Sequence, residues 1–201
     1  PDSQYRILEN KDNRLYLTYT SDHGHCACAG DSAHCDHTEN TWIPWESTTS
    51  LPTAEGYYYL LSDVTVTTCA EFSAGHVRLC LNGHSVSANG EEGTKSDRAY
   101  NVSGDATLSI SDCTAVYAKD GTYTAGKITG GTQAVIFVPN QTGTNADGTQ
   151  KTNACVINLY DGILTGNTSD VGGALIVQDG AVFNMYGGEI SGNTSHVVTA
   201  A

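Results

Sequence analysis

The stretches "LYDGILTGNTS" at 159–169 and "MYGGEISGNTS" at 185–195 align at a spacing of 26 residues. Tyr160 falls on Tyr186, Gly162 on Gly188, Gly166 on Gly192, and Asn167-Thr-Ser on Asn193-Thr-Ser. The runs that precede them align as well, "VINLY" over "VFNMY". Fainter echoes lie upstream. "VRLCLNG" (77–83) and "ATLSISD" (106–112) share one alternation at a spacing of 29, and "GKITGGTQAVIFV" (126–138) resembles both "GEISGNTSHVV" and "GGALIV". A unit this short cannot bury its apolar face alone, so it must stack on copies of itself. The alternation has a period of two and no helical period, which makes the unit strand-based. The expectation is an all-β chain, with a right-handed parallel β-helix over residues 57–201.

Alternation assigns side chains to faces. Val77, Leu79 and Leu81 point inward, stacked over Ala106, Leu108 and Ile110, then Cys155, Ile157 and Leu159, then Ala181, Phe183 and Met185. Arg78, Ser109, Asn158 and Asn184 point out. Asn167 and Asn193 recur at one corner and are candidates for a side-chain ladder. Composition agrees. With 22 glycines, 4 prolines and only 15% charged residues, the chain suits many short strands and turns better than a helical bundle.

The segment 139–154, "PNQTGTNADGTQKTNA", breaks the repeat with turn formers alone. It is expected to be a loop inserted into one coil. Asn140, Asn145 and Asp147 are its candidate ligand contacts, since insertions in solenoids project from one face.

Residues 1–56 have a different texture. Residues 1–22 alternate around Tyr5, Ile7, Leu15, Leu17 and Tyr19, as one or two strands would. "HGHCACAGDSAHCDH" follows, with four histidines and three cysteines between His23 and His37. Cys26-x-Cys28 and Cys35-x-His37 are two clamps joined by a short linker, which suits a tetrahedral Zn²⁺ site of four N/S ligands. Four protein ligands leave no open position, so such a site is structural. His25, His34 and His23 are alternates, and a Cys26–Cys35 disulfide competes with the metal. Trp42 and Trp45 then offer either a small packing core or an aromatic platform for sugars. The expected organisation is a zinc-clipped cap at 1–56 and the β-helix at 57–201. Among the later cysteines, Cys155 reads as a buried free thiol, and Cys80 as a partner for Cys69 or Cys113.

A net charge of -13 argues against nucleic acid and anionic membranes as partners. No apolar run is long enough to span a bilayer, and no signal peptide is visible. The chain begins at Pro1 and reads as a piece of a longer protein, with further coils expected beyond the last repeat. None of the G-x-S-x-G, H-E-x-x-H or P-loop patterns occurs. A glycan-active enzyme on this fold, a lyase or glycoside hydrolase, would have to draw on Asp112, Asp161, Asp179 or Glu189. A ligand-free spacer is the other alternative.

"HCACAG", "HCDHT", "TWIPW", "YYYLLSDVTVT", "VRLCLNGHSV" and "MYGGEISGNTS" together resemble the adhesin-like, secreted or wall-anchored β-helix repeat proteins of Gram-positive, often gut-dwelling, bacteria. The resemblance spans roughly residues 23–198. It implies extracellular display and recognition of a host or community surface: glycans, mucins, or immune proteins such as immunoglobulin.

Overall fold

A computed structural model describes residues 5–9, 15–19, 42–91, 94, 97–142 and 154–195. Among these residues the chain is all-β, with no helix. Two strands, β1 (Tyr5–Glu9) and β2 (Leu15–Tyr19), pair antiparallel, with Tyr5 opposite Tyr19. A short strand, β3 (Ile43–Trp45), follows.

From residue 56 the chain visits three parallel sheets in a fixed rotation. The first circuit is β4 (Gly56–Leu60), β5 (Val64–Val66) and β6 (Ala70–Phe72), and the second is β7 (His76–Cys80), β8 (Ser85–Ala88) and β9 (Tyr100–Val102). The third runs through β10 (Thr107–Ser111), a hairpin of β11 (Val116–Tyr117) and β12 (Tyr123–Thr124), then β13 (Lys127–Thr129) and β14 (Ile136–Val138). The fourth holds β15 (Val156–Leu159), β16 (Ile163–Thr165), β17 (Thr168–Ser169) and β18 (Leu175–Val177). The fifth holds β19 (Val182–Met185), β20 (Glu189–Ser191) and β21 (Thr194–Ser195). The first sheet is ordered β3-β4-β7-β10-β15-β19, the second β5-β8-β13-β16-β20, and the third β6-β9-β14-β18. Neighbouring strands in each are parallel and come from successive circuits.

The inner faces meet in one apolar core, to which Leu60, Val77, Leu79, Leu108, Ile128, Ile136, Ile157 and Leu164 contribute fully buried side chains. The sides follow the sequence alternation. Ile157 sits between Leu108 and Phe183, while Asn158 sits between Ser109 and Asn184 on the outside. One register differs from the sequence alignment. Val77 lies opposite Leu108 and Leu79 opposite Ile110, two residues beyond the spacing of 29 read from the repeat. A shift of two conserves both faces, whereas a shift of one would have exchanged them. Burial therefore fixes the face and leaves the even register to the corners.

Buried polar side chains hold those corners. Asn167, fully buried, donates from Nδ2 to Asn193 Oδ1 (2.8 Å) and Ile128 O (3.4 Å), and its Oδ1 accepts from Gly131 N–H (3.3 Å). The Asn167–Asn193 ladder expected from the repeat is thus present, with Gly131 in its third-circuit place. After β7, Asn82 and Gly83 turn with φ of 51° and 78°. Asparagine and glycine are the residues that tolerate such values in succession. Asp112 ties this corner to the next circuit, accepting from Gly83 N–H (3.2 Å), Thr114 N–H (2.7 Å), Thr114 O–H (2.7 Å) and Gly126 N–H.

Candidate functional site

The expected zinc ligands Cys26, Cys28, Cys35 and His37, with the alternates His23, His25 and His34, lie outside the described residues. So do Asn145 and Asp147 of the segment 139–154, expected from the sequence to be an inserted loop. Among the described residues no cluster of His, Cys, Asp and Glu is arranged to hold a metal. Asn140 lies just after β14, and its Oδ1 accepts from the N–H and the O–H of Thr142, both at 2.7 Å.

Trp42 immediately precedes β3 and Trp45 is its last residue. Trp42 is 5% exposed and meets Tyr57 edge-on at 5.5 Å. Trp45 meets Tyr58 edge-on at 5.5 Å and donates its indole N–H to Ser50 O at 2.6 Å. Tyr57 in turn lies under the Arg78 guanidinium, 4.3 Å from the ring centre. Both indoles are engaged in packing at the entrance to the first circuit.

Among the described residues an exposed aromatic surface lies toward the other end of the stack. The β11–β12 hairpin sits on the corner between the first and second sheets. Its turn is built on Asp120-Gly121: Thr122 N–H donates to Asp120 Oδ1 (2.9 Å), and Gly121 takes a φ of 89°. Tyr117 and Tyr123 are cross-strand partners with ring centres 4.3 Å apart. Their hydroxyls reach forward along the stack. Tyr123 O–H donates to Asp161 Oδ1 (3.1 Å) and accepts from Gly162 N–H (2.9 Å). Tyr117 Oη accepts from Gly188 N–H (3.2 Å), one circuit further on. At the same corner Tyr160 and Tyr186 stack at 4.9 Å with rings 15° from parallel. Tyr117 and Tyr186 are 45% and 36% exposed, which leaves ring surface for a ligand. Burial, then the neighbouring Asp161 carboxylate, raises the Tyr123 phenol above its ordinary value. Burial does the same at Tyr117, with Asp161 and Glu189 adding to it, so both hydroxyls stay protonated at neutral pH. The sequence did carry a signal for the hairpin: an Asp-Gly pair flanked by Val116-Tyr117 and Tyr123-Thr124.

The four candidate carboxylates separate by role. Asp112 is buried and given over to backbone amides. Asp179 is exposed on the turn before β19, at another corner. Asp161 and Glu189 belong to the tyrosine corner, where Asp161 holds Tyr123 and Glu189 accepts from the Ser191 hydroxyl. The outer face of the first sheet carries a second polar row: His76 Nε2 meets Ser109 Oγ (2.8 Å), Asn158 donates to Ser109 Oγ (3.2 Å), and Asn184 donates to Asn158 Oδ1 (2.9 Å).

Comparison with models of protein families, with curated proteins and with solved structures returned no match.

Proposed function

We propose that this chain is a non-enzymatic, extracellular recognition module of the adhesin type. In this reading it is a right-handed parallel β-helix whose N-terminal segment is clipped by structural Zn²⁺ through Cys26, Cys28, Cys35 and His37. Its ligand is a glycan on a host or community surface, free or carried on a mucin or other glycoprotein. The observation that carries the reading is the tyrosine corner. Flat, partly exposed rings offer apolar area to the C–H faces of a sugar, while phenol and carboxylate groups beside them suit its hydroxyls. The rings stand on packed strands, so little ordering cost attends binding. The charge selects further: Asp161 and Glu189 flank the rings on a chain of net charge -13, which favours neutral over sialylated or sulfated glycans.

The test is a screen against neutral and acidic glycans, repeated with Tyr186→Ala and Tyr117→Ala. A neutral glycan should bind, and each substitution should weaken it by about tenfold, the loss of one aromatic stack of roughly 1–1.5 kcal/mol. Binding that ignores both substitutions sinks the assignment. Turnover of a polysaccharide, abolished by Asp161→Asn, would move the corner into the enzyme class. For the clip, metal analysis should find one zinc per chain, lost in the double variant Cys26→Ser, Cys28→Ser. Zinc retained in that variant would exclude these ligands.

A further inference from the structure

Two cysteines from consecutive circuits meet behind the first sheet. Cys80 is the last residue of β7 and is fully buried, although its side is the outward one. It lies opposite Ser111 of β10, and the chain then turns through Asp112 and Thr114. That turn lays Cys113 over Cys80. Cys113 N–H donates to Cys80 Sγ at 3.4 Å, and Cys113 Sγ–H donates to Asn82 Oδ1 at 3.4 Å. Asp112 and the Asn82-Gly83 corner hold the backbone on both sides, so the approach is built into the fold.

The remaining described cysteines are placed otherwise. Cys155 points inward, with its thiol on Val102 O at 3.6 Å, and Cys69 directs its thiol to Ala70 O at 3.9 Å. Sequence spacing left Cys80 between Cys69 and Cys113, and the geometry chooses Cys113.

We propose that Cys80 and Cys113 form a disulfide that staples the second circuit to the third. The oxidant is an external disulfide of the small-molecule class. Cys113, only half-buried, loses its proton and attacks one sulfur of that disulfide, releasing one thiolate. Cys80 then loses its proton and attacks the Cys113 sulfur of the mixed disulfide, releasing the second. Two protein thiols become one S–S bond, and the external disulfide is reduced to two thiols. The buried, protonated Cys80 makes the second step the slow one. None of this depends on what the tyrosine corner binds.

The experiment equilibrates the folded 201-residue chain in a series of reduced and oxidised glutathione, alkylates free thiols, digests, and maps the peptides by mass spectrometry. The expected product is a peptide pair joined through Cys80 and Cys113, with Cys69 and Cys155 recovered alkylated after denaturation. The thermal midpoint should rise by roughly 5–15 °C on oxidation, and Cys113→Ser should lose that rise. Peptide mapping on the unaltered chain decides the matter even if Cys113→Ser folds poorly. Alkylated Cys80 and Cys113 at the oxidising end of the series, or Cys80 joined to Cys69, would overturn the proposal.

Discussion

His76 sits on the outer face of the first sheet, more than half covered, with its ring against Ser109 and the Arg78 guanidinium nearby. Burial, then the Arg78 cation, lowers its pKa from 6.5 to about 4. The folded chain therefore keeps a neutral imidazole over a range in which the unfolded chain takes up a proton. The contribution to stability is complete above about 6.5 and is lost progressively as pH falls toward about 4. Urea unfolding across this window should show a steeper loss for the native chain than for His76→Gln. Parallel acid profiles for the two would mean that His76 does not sense pH. The same solvation argument explains the buried polar groups nearby. Asp112 and Asn167 persist in a dry setting because nearly every polar atom they carry has a partner. Asp112 illustrates how a carboxylate that looked available for catalysis in the sequence becomes a corner post once three amides converge on it.

Strands and corners were the legible elements of this chain. Alternation placed Val77, Leu108, Ile157 and Phe183 on one face, and the repeated Gly-Asn-Thr-Ser marked the corner where Asn167 and Asn193 pair. Both signals are local in character, since a side-chain period and a turn composition need no partner to be read. The hairpin was less legible because its meaning is not local. Asp120-Gly121 predicts a turn, but nothing in its neighbourhood says that Tyr117 will reach Gly188, 71 residues away. Such contacts arise because parallel strands from successive circuits place residues one or two circuits apart in sequence side by side in space. The choice between Cys69 and Cys113 as the neighbour of Cys80 stayed open in the sequence for the same reason, and the two-residue shift between β7 and β10 was hidden. The corner residues Asn82, Gly83 and Asp112, rather than the apolar pattern, set that register. The tyrosine corner is thus assembled from three circuits of the stack. Tyr117 and Tyr123 come from the third circuit, Tyr160 and Asp161 from the fourth, and Tyr186 and Glu189 from the fifth.

Across the whole molecule the core is graded along its axis. In the fourth circuit Leu159 and Leu164 are each 1% exposed, whereas their partners in the fifth, Met185 and Ile190, are 48% and 39% exposed. Nearest-neighbour stacking makes each circuit's contribution depend on being covered on both sides. Side chains at the same position in successive repeats should therefore differ in worth. Leu159→Ala removes a buried side chain and leaves a cavity among Ile110, Ile157 and Met185, at a cost of about 2–5 kcal/mol. Met185→Ala removes a side chain already half in water, at a cost under about 1 kcal/mol by burial bookkeeping. Urea denaturation of both variants measures the difference directly. The unfolding midpoint should fall markedly for Leu159→Ala and little for Met185→Ala. Equal losses at the two positions would mean that the fifth circuit is covered in solution by something that buries Met185 as deeply as Leu159. In that case a shift of the Met185→Ala loss with protein concentration would identify the cover as a second copy of the chain.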